Sequence, residues 1–194
     1  MQKIFKVNVS PKNYQSMGKT FPFPDLSKTI CPHCKKKHLR RHGFYKRYLI
    51  DKSFEGLILV PRYICHECNK TLSMLPWFCH PKRTYSMDFI HRSLLDFFNW
   101  NGKIISFIKN FTFTYGIPLS RQLLYQYRKR LLKNCNRILM ELIRQLQLKN
   151  PVSTSLDNVK RIKDALNLIE TTASSPLIVS LNMFSHGSCT YLTL

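Results

Sequence analysis

Acidic residues are scarce in this chain: 10 Asp and Glu stand against 31 Lys and Arg over 194 residues, leaving a formal charge of +21. A chain so charged repels itself unless a polyanion neutralises it, so the composition points to a nucleic acid as partner. A basic protein that binds membrane surfaces is the competing class. Also missing is any run approaching the roughly 18 apolar residues of a membrane-spanning helix. Met1 to Val9 carries Lys3 and Lys6 but no continuous apolar stretch of signal-peptide length. These absences predict a soluble, cytoplasmic protein with no membrane partner. Low-complexity segments are absent too, and the 13 Phe, 9 Tyr and 2 Trp scattered among the cations exclude disorder for the chain as a whole.

Cysteine is what the chain does have, with seven residues. In an intracellular protein these stay mostly reduced, so paired cysteines favour metal ligation over disulfides. Cys31-Pro32-His33-Cys34 and Cys65-His66-Glu67-Cys68 are two C-x2-C knuckles on either side of a strand-forming segment. That spacing aims four thiolates at one tetrahedral site and predicts a single structural Zn2+ held by Cys31, Cys34, Cys65 and Cys68, with no open position for a catalytic water. A thioredoxin-type redox motif would need only one such pair. With four sulfurs already supplied, His33, His38, His42 and His66 read as surface or phosphate-facing residues. Cys79, Cys135 and Cys189 lack partner spacing, and Cys135 falls on an apolar helix seam.

The pattern along the chain predicts an α+β fold: a small three-stranded zinc ribbon followed by a mostly α-helical helix-turn-helix region with a long helix. Residues 1–29, with Pro11, Pro22 and Pro24 and no sustained period, read as an irregular N-terminal arm. Within the ribbon, 30–80, strands are expected at Leu39 to Tyr48, Gly56 to Ile64 and Thr71 to Leu75. A chelator is expected to melt residues 30–76, because so small a ribbon buries little apolar surface alone. Residues 85–149 hold three helices opening at Ser86, Lys103 and Ser120. The last is expected to be long, since Leu124, Tyr127, Leu131, Cys135, Ile138 and Leu142 follow steps of three and four. A small three-helix core cannot cover that seam, which suggests a homodimer through it. Residues 150–194 read as a short helix, built on Val159, Ile162, Leu166 and Ile169, and a tail.

Two surfaces are candidates for nucleic-acid contact. Around the ribbon, Lys35, Lys36, Lys37, Arg40, Arg41, Lys46, Arg47 and Arg62 alternate with aromatic residues and can present cations to phosphates. In a helix-turn-helix the last helix enters the major groove with its first residues at base edges. Ser120, Arg121, Gln122 and Tyr125 would then face DNA, Arg and Gln being able to pair with guanine and adenine edges. Lys129 and Arg130 would sit at phosphates, while Leu123, Leu124 and Tyr127 point to the core.

Cys31-Pro32-x-Cys34, Arg41-His42-Gly43-Phe44-Tyr45, Arg62-Tyr63-Ile64-Cys65-x-x-Cys68, Leu75-Pro76, Tyr85-Ser86 and Leu124-Tyr125-Gln126-Tyr127 together resemble the transposase-type zinc ribbon and helix-turn-helix region of bacterial insertion-sequence proteins. They also resemble a related bacterial zinc-ribbon domain family of unknown function. Such ribbons often carry Gly after the second cysteine of each knuckle; here Lys35 and Asn69 stand there, which predicts a first knuckle slightly different in shape from the second. The resemblance implies a nucleoid-associated protein of mobile-element origin. A complete transposase would add a domain with metal-binding acidic residues. From Ser120 onward the only acids are Glu141, Asp157, Asp164 and Glu170, all within helical patterns, so they read as surface charges and caps. The expectation is a zinc-stabilised, sequence-preferring duplex DNA-binding protein that is not an enzyme. The alternatives are an RNA-binding zinc ribbon, or a truncated transposase with residual nuclease or strand-transfer activity.

Overall fold

Residues 1–36, 39–81, 83–172 and 190–191 are described by the computed structural model. Its first 29 residues correct the expectation of an irregular arm, since they form strand β1 (Gln2–Phe5) and helix α1 (Pro11–Met17). Helix α1 starts where the local chemistry says it should: Pro11 fixes φ in the first turn, and the Ser10 hydroxyl accepts from the Asn13 N–H at 3.2 Å. What orders the rest of the arm is tertiary. Tyr14, Phe21, Phe23 and Leu26 are buried, Tyr14 packs on Phe21 and Phe78 with ring centroids 4.7 and 5.5 Å apart, and its hydroxyl donates to the Leu59 carbonyl at 2.8 Å.

Beyond the arm come β2 (Leu39–Asp51), β3 (Phe54–Cys65) and β4 (Thr71–Pro76), at the three places where alternating β-formers predict strands. β2 and β3 form an antiparallel hairpin closed at Lys52-Ser53, and β4 pairs antiparallel with the end of β3. The ribbon does not stop at three strands. β1 lies parallel to β4 on its far side and β5 (Thr190–Tyr191) lies beside β1, giving the order β2-β3-β4-β1-β5. The hairpin register shifts between Arg41 and Gly43, a bulge that Gly43 accommodates at φ 140. Buried positions along β3 accordingly change parity, from Phe54, Ile58 and Val60 to Pro61, Tyr63 and Cys65.

The chain divides after Ser86 into two units; strands β1 to β5 and α1 belong to the first. The second is helical: α2 (Met87–Asn99), α3 (Ile104–Tyr115), α4 (Arg121–Lys133), α5 (Cys135–Leu146) and α6 (Asn158–Thr171). The single long helix expected after Ser120 is two helices. Asn134 breaks it, at φ −101 and ψ 14, with its side-chain amide donating to the Arg130 carbonyl at 2.9 Å; a short polar side chain competing for backbone groups interrupts a helix in this way. The apolar seam nevertheless runs through the break: Leu124, Tyr127, Leu131, Cys135, Ile138 and Leu142 are all buried. Helix α6 packs on α2, α4 and α5, contributing Ile162, Ala165, Leu166 and Ile169. The seam is thus covered from within the chain. Asp157 itself caps α6, accepting from the Val159 N–H at 2.9 Å. The expected tail, apart from Thr190–Tyr191, falls outside the described residues beyond Thr172.

Candidate metal centre and exposed basic surfaces

The two knuckles are built alike. In the first, the Lys35 N–H donates to the Cys31 carbonyl at 2.9 Å and the Cys31 N–H to the Lys36 carbonyl at 2.8 Å. In the second, Asn69 donates to Cys65 at 2.9 Å and Cys65 to Lys70 at 3.0 Å. Lys35 and Asn69 both take the left-handed conformation, at φ 64 and 55, so the expected difference in knuckle shape is not found. A non-glycine residue there costs roughly 1 to 2 kcal/mol, which the repeated turn holds in place. Lys36 bridges the knuckles through Glu67 at 3.2 Å, an exposed pair of little energetic weight.

The turns bring the Sγ atoms of Cys31, Cys34, Cys65 and Cys68 within 4.8 Å of one another. Cys31 lies 3.8 Å from Cys68 and Cys34 lies 3.6 Å from Cys65, each contact joining opposite knuckles. Four sulfurs on a tetrahedral ion at about 2.3 Å would stand about 3.8 Å apart, so the quartet is compatible with a structural metal site. Cys31 and Cys65 are buried, whereas Cys34 and Cys68 reach partly to solvent. Burial pushes the Cys31 thiol up, but the backbone N–H groups of Cys34 and His33 and the neighbouring Cys34 and Cys65 thiols together outweigh it and bring the thiol down to about 7. At Cys34 the Lys36 N–H favours the thiolate, yet burial and the neighbouring thiols prevail and push it up to about 12. One sulfur ionises readily and the next resists, a conflict that a bound divalent cation removes. Cys79 and Cys135 are remote, buried thiols, and desolvation holds that of Cys79 at about 12, which makes it unreactive.

The cations expected near the ribbon do not all face outward. Lys35, Arg40 and Lys46 are exposed. Arg41 is exposed but lies over Phe23 and Phe44, 5.4 and 5.7 Å from their ring centroids, and Arg62 lies half-buried over Tyr45 at 5.8 Å. Arg47 is different: its guanidinium donates to the carbonyls of His80 and Arg83, clasping β2 to that loop. This is a structural role, and the reason is geometric, since a basic run shows charge without showing which guanidinium turns inward. Lys37 and His38 lie outside the described residues.

On α4 the division between faces follows the spacing. Leu123, Leu124 and Tyr127 are buried, while Arg121, Gln122, Tyr125 and Lys129 are exposed. Ser120 is the N-cap, its hydroxyl accepting from the Leu123 N–H at 3.4 Å. Arg121 stacks over Tyr125 at 5.5 Å, and the half-buried Arg130 over Tyr127 at 5.9 Å. The late carboxylates are dispersed: Glu141 with Arg144, Asp157 at its cap, Asp164 with Ser153 at 2.6 Å and Glu170 with Arg92. Among the described residues, the cysteine quartet is the one cluster of three or more metal-ligating side chains, and no helix is long and apolar enough to cross a membrane.

The fold and site therefore define a mixed α+β chain with a closed four-cysteine centre compatible with a structural metal. Residues 31–102, from the first metal-site cysteine to just past α2, are similar to a family described as a domain of unknown function (DUF6431). No curated protein and no solved structure matches the chain.

Proposed function

We propose that the chain is a zinc-stabilised nucleic-acid-binding protein that prefers particular duplex DNA sequences, a transposase-type recognition module without a catalytic domain. Zinc fits the quartet because it takes four thiolates tetrahedrally and brings no redox chemistry. The ion is a scaffold: with every ligand position filled by sulfur it holds the knuckles and supplies no reactive water.

The observation that carries the reading is the outer face of α4. The helix has five cations and no acid, and Arg121 stands at its first residue. A helix N-terminus disfavours a cation by some tenths of a kcal/mol, and exposed helices usually balance their charge with carboxylates three or four residues away. Arg121 breaks both rules beside Gln122, the two side chains suited to bidentate contact with guanine and adenine. The α3–α4 connection supports a helix-turn-helix, since it is a short turn from Gly116, which adopts φ 67, to the Ser120 cap. Arg40, Arg41 and Lys46 on the ribbon then serve the backbone, adding affinity without sequence information.

Selection of bound duplexes from a random pool tests this division. Arg121→Ala with Gln122→Ala should flatten the recovered sequence preference. Arg40→Ala with Arg41→Ala should weaken all duplexes alike and leave the preference in place. Equal effects on preference from both pairs would overturn the reading.

A further inference from the structure

Resting on the nucleic-acid reading of α4, we propose that a second contact with the duplex lies further along the helices: Lys129, Lys133 and Arg137 form a cationic stripe that follows one phosphate backbone away from the groove. Lys133 and Arg137 belong to no motif; helical spacing within α4 places Lys133 in line with Lys129, and the course of the chain through Asn134 places Arg137 there too.

The three residues are spaced by four and each is exposed. Four residues of helix rise about 6 Å, the scale of one to two phosphates along a strand at roughly 3.4 Å of axis each. Asn134 interrupts α4 for a single residue before α5 resumes. The inner side is continuous through that break, with Leu131, Cys135 and Ile138 all buried, so the outer side is continuous as well. Across α4 and α5 the sequence holds one acid, Glu141, and Arg144 grips it through both Nε and Nη2. Lys129, Lys133 and Arg137 make no ion pair among the described residues. A solvated helix face of ordinary kind would carry carboxylates at i+3 or i+4 against such cations. A stripe left unbalanced over about two turns complements a linear row of anions, and a duplex strand supplies one.

The test is equilibrium binding of the full-length, metal-loaded chain to a selected duplex and to a random one, across a series of salt concentrations. Lys133→Ala with Arg137→Ala should lower affinity for both duplexes by the same factor. It should also make the slope of log K against log salt less negative by about 0.9 for each phosphate no longer neutralised, about 1.8 for the pair. Both side chains are exposed, so an unchanged circular dichroism spectrum is expected alongside. Restoring the charges with Lys133→Arg and Arg137→Lys should recover the slope. An unchanged slope in the alanine variant overturns the stripe, as does a shift in sequence preference as large as the loss in affinity. If Arg121→Ala with Gln122→Ala abolishes preference while the stripe variant leaves the slope alone, the stripe fails and the reading of α4 stands. If the wild-type chain binds no duplex, the reading of α4 fails and the stripe with it.

Discussion

The two units hold their shape by different means. In the helical unit an apolar seam along α4 and α5 is closed by Ile162, Leu166 and Ile169 of α6. The sheet unit has an aromatic core, where Tyr14, Phe21, Phe23 and Phe78 gather, and two knuckles whose residues are largely exposed. Beside the knuckles Leu39, Tyr63 and Leu72 are buried, but the knuckle turns themselves add little apolar surface, so a metal ion held by the four thiols would contribute most there. The contrast also corrects a simpler picture of the ribbon. Because β1 and α1 join its sheet, metal loss should loosen the knuckle end and not melt residues 30–76 as a block.

The largest effect should come from breaking the metal end. Cys65→Ser, or a strong chelator, should abolish metal retention, a change worth on the order of 10 kcal/mol of binding free energy for a structural zinc site. Hydrogen exchange should then rise near Cys31, Leu39, Cys65 and Leu72 while α4 to α6 keep their protection. Acid should act in the same direction. Metal uptake requires thiolates, and with the free Cys31 thiol near 7 and that of Cys34 near 12, affinity should fall as pH drops through neutrality. Calorimetry in buffers of different ionisation enthalpy should show proton release on binding, decreasing as pH rises past 7, where Cys31 is already ionised. The sign for Cys31 alone agrees: a lowered thiol stabilises the fold above its unfolded value and loses that contribution as pH falls through the folded one.

Next in size is the helical core. Leu166→Ala removes a fully buried side chain and should cost about 2 to 5 kcal/mol, read by thermal or urea unfolding, with metal content unchanged. Loss of metal on this substitution would show that the two units do not stand apart energetically. A smaller effect, about 1.5 to 3 kcal/mol, is expected at Arg47, whose charged bonds to the carbonyls of His80 and Arg83 are both made by one nitrogen, Nη2. Arg47→Ala should therefore lower unfolding stability while leaving the salt slope of duplex binding alone, the reverse of what a phosphate contact would give.

How much of this was legible in the sequence depended on whether local pattern or tertiary contact set each element. The knuckles were legible because two C-x2-C turns carry their own geometry, and β2 to β4 because alternation and turn residues agree there. The inner and outer faces of α4 were legible because steps of three and four alone decide which side chains share a face. The Asn134 break was not, since the apolar seam keeps its spacing on both sides of it. The arm hid its order for another reason: β1 and the packing of Phe21 and Phe23 come from the sheet they meet, although Ser10-Pro11 was a helix start in plain view. Arg47 was placed with the phosphate-facing cations because charge in a run says nothing of where a guanidinium finds its acceptors, in this case the carbonyls of His80 and Arg83.

The central claim is that a metal-held chain presents the outer face of α4 to duplex DNA. Its most direct test is competition between duplex DNA and single-stranded RNA of equal length for the metal-loaded protein at several salt concentrations. Preferential duplex binding is predicted, with affinity falling by about 0.9 log units per log of salt for each phosphate contacted. Displacement of the duplex by the RNA across the whole salt range would contradict it.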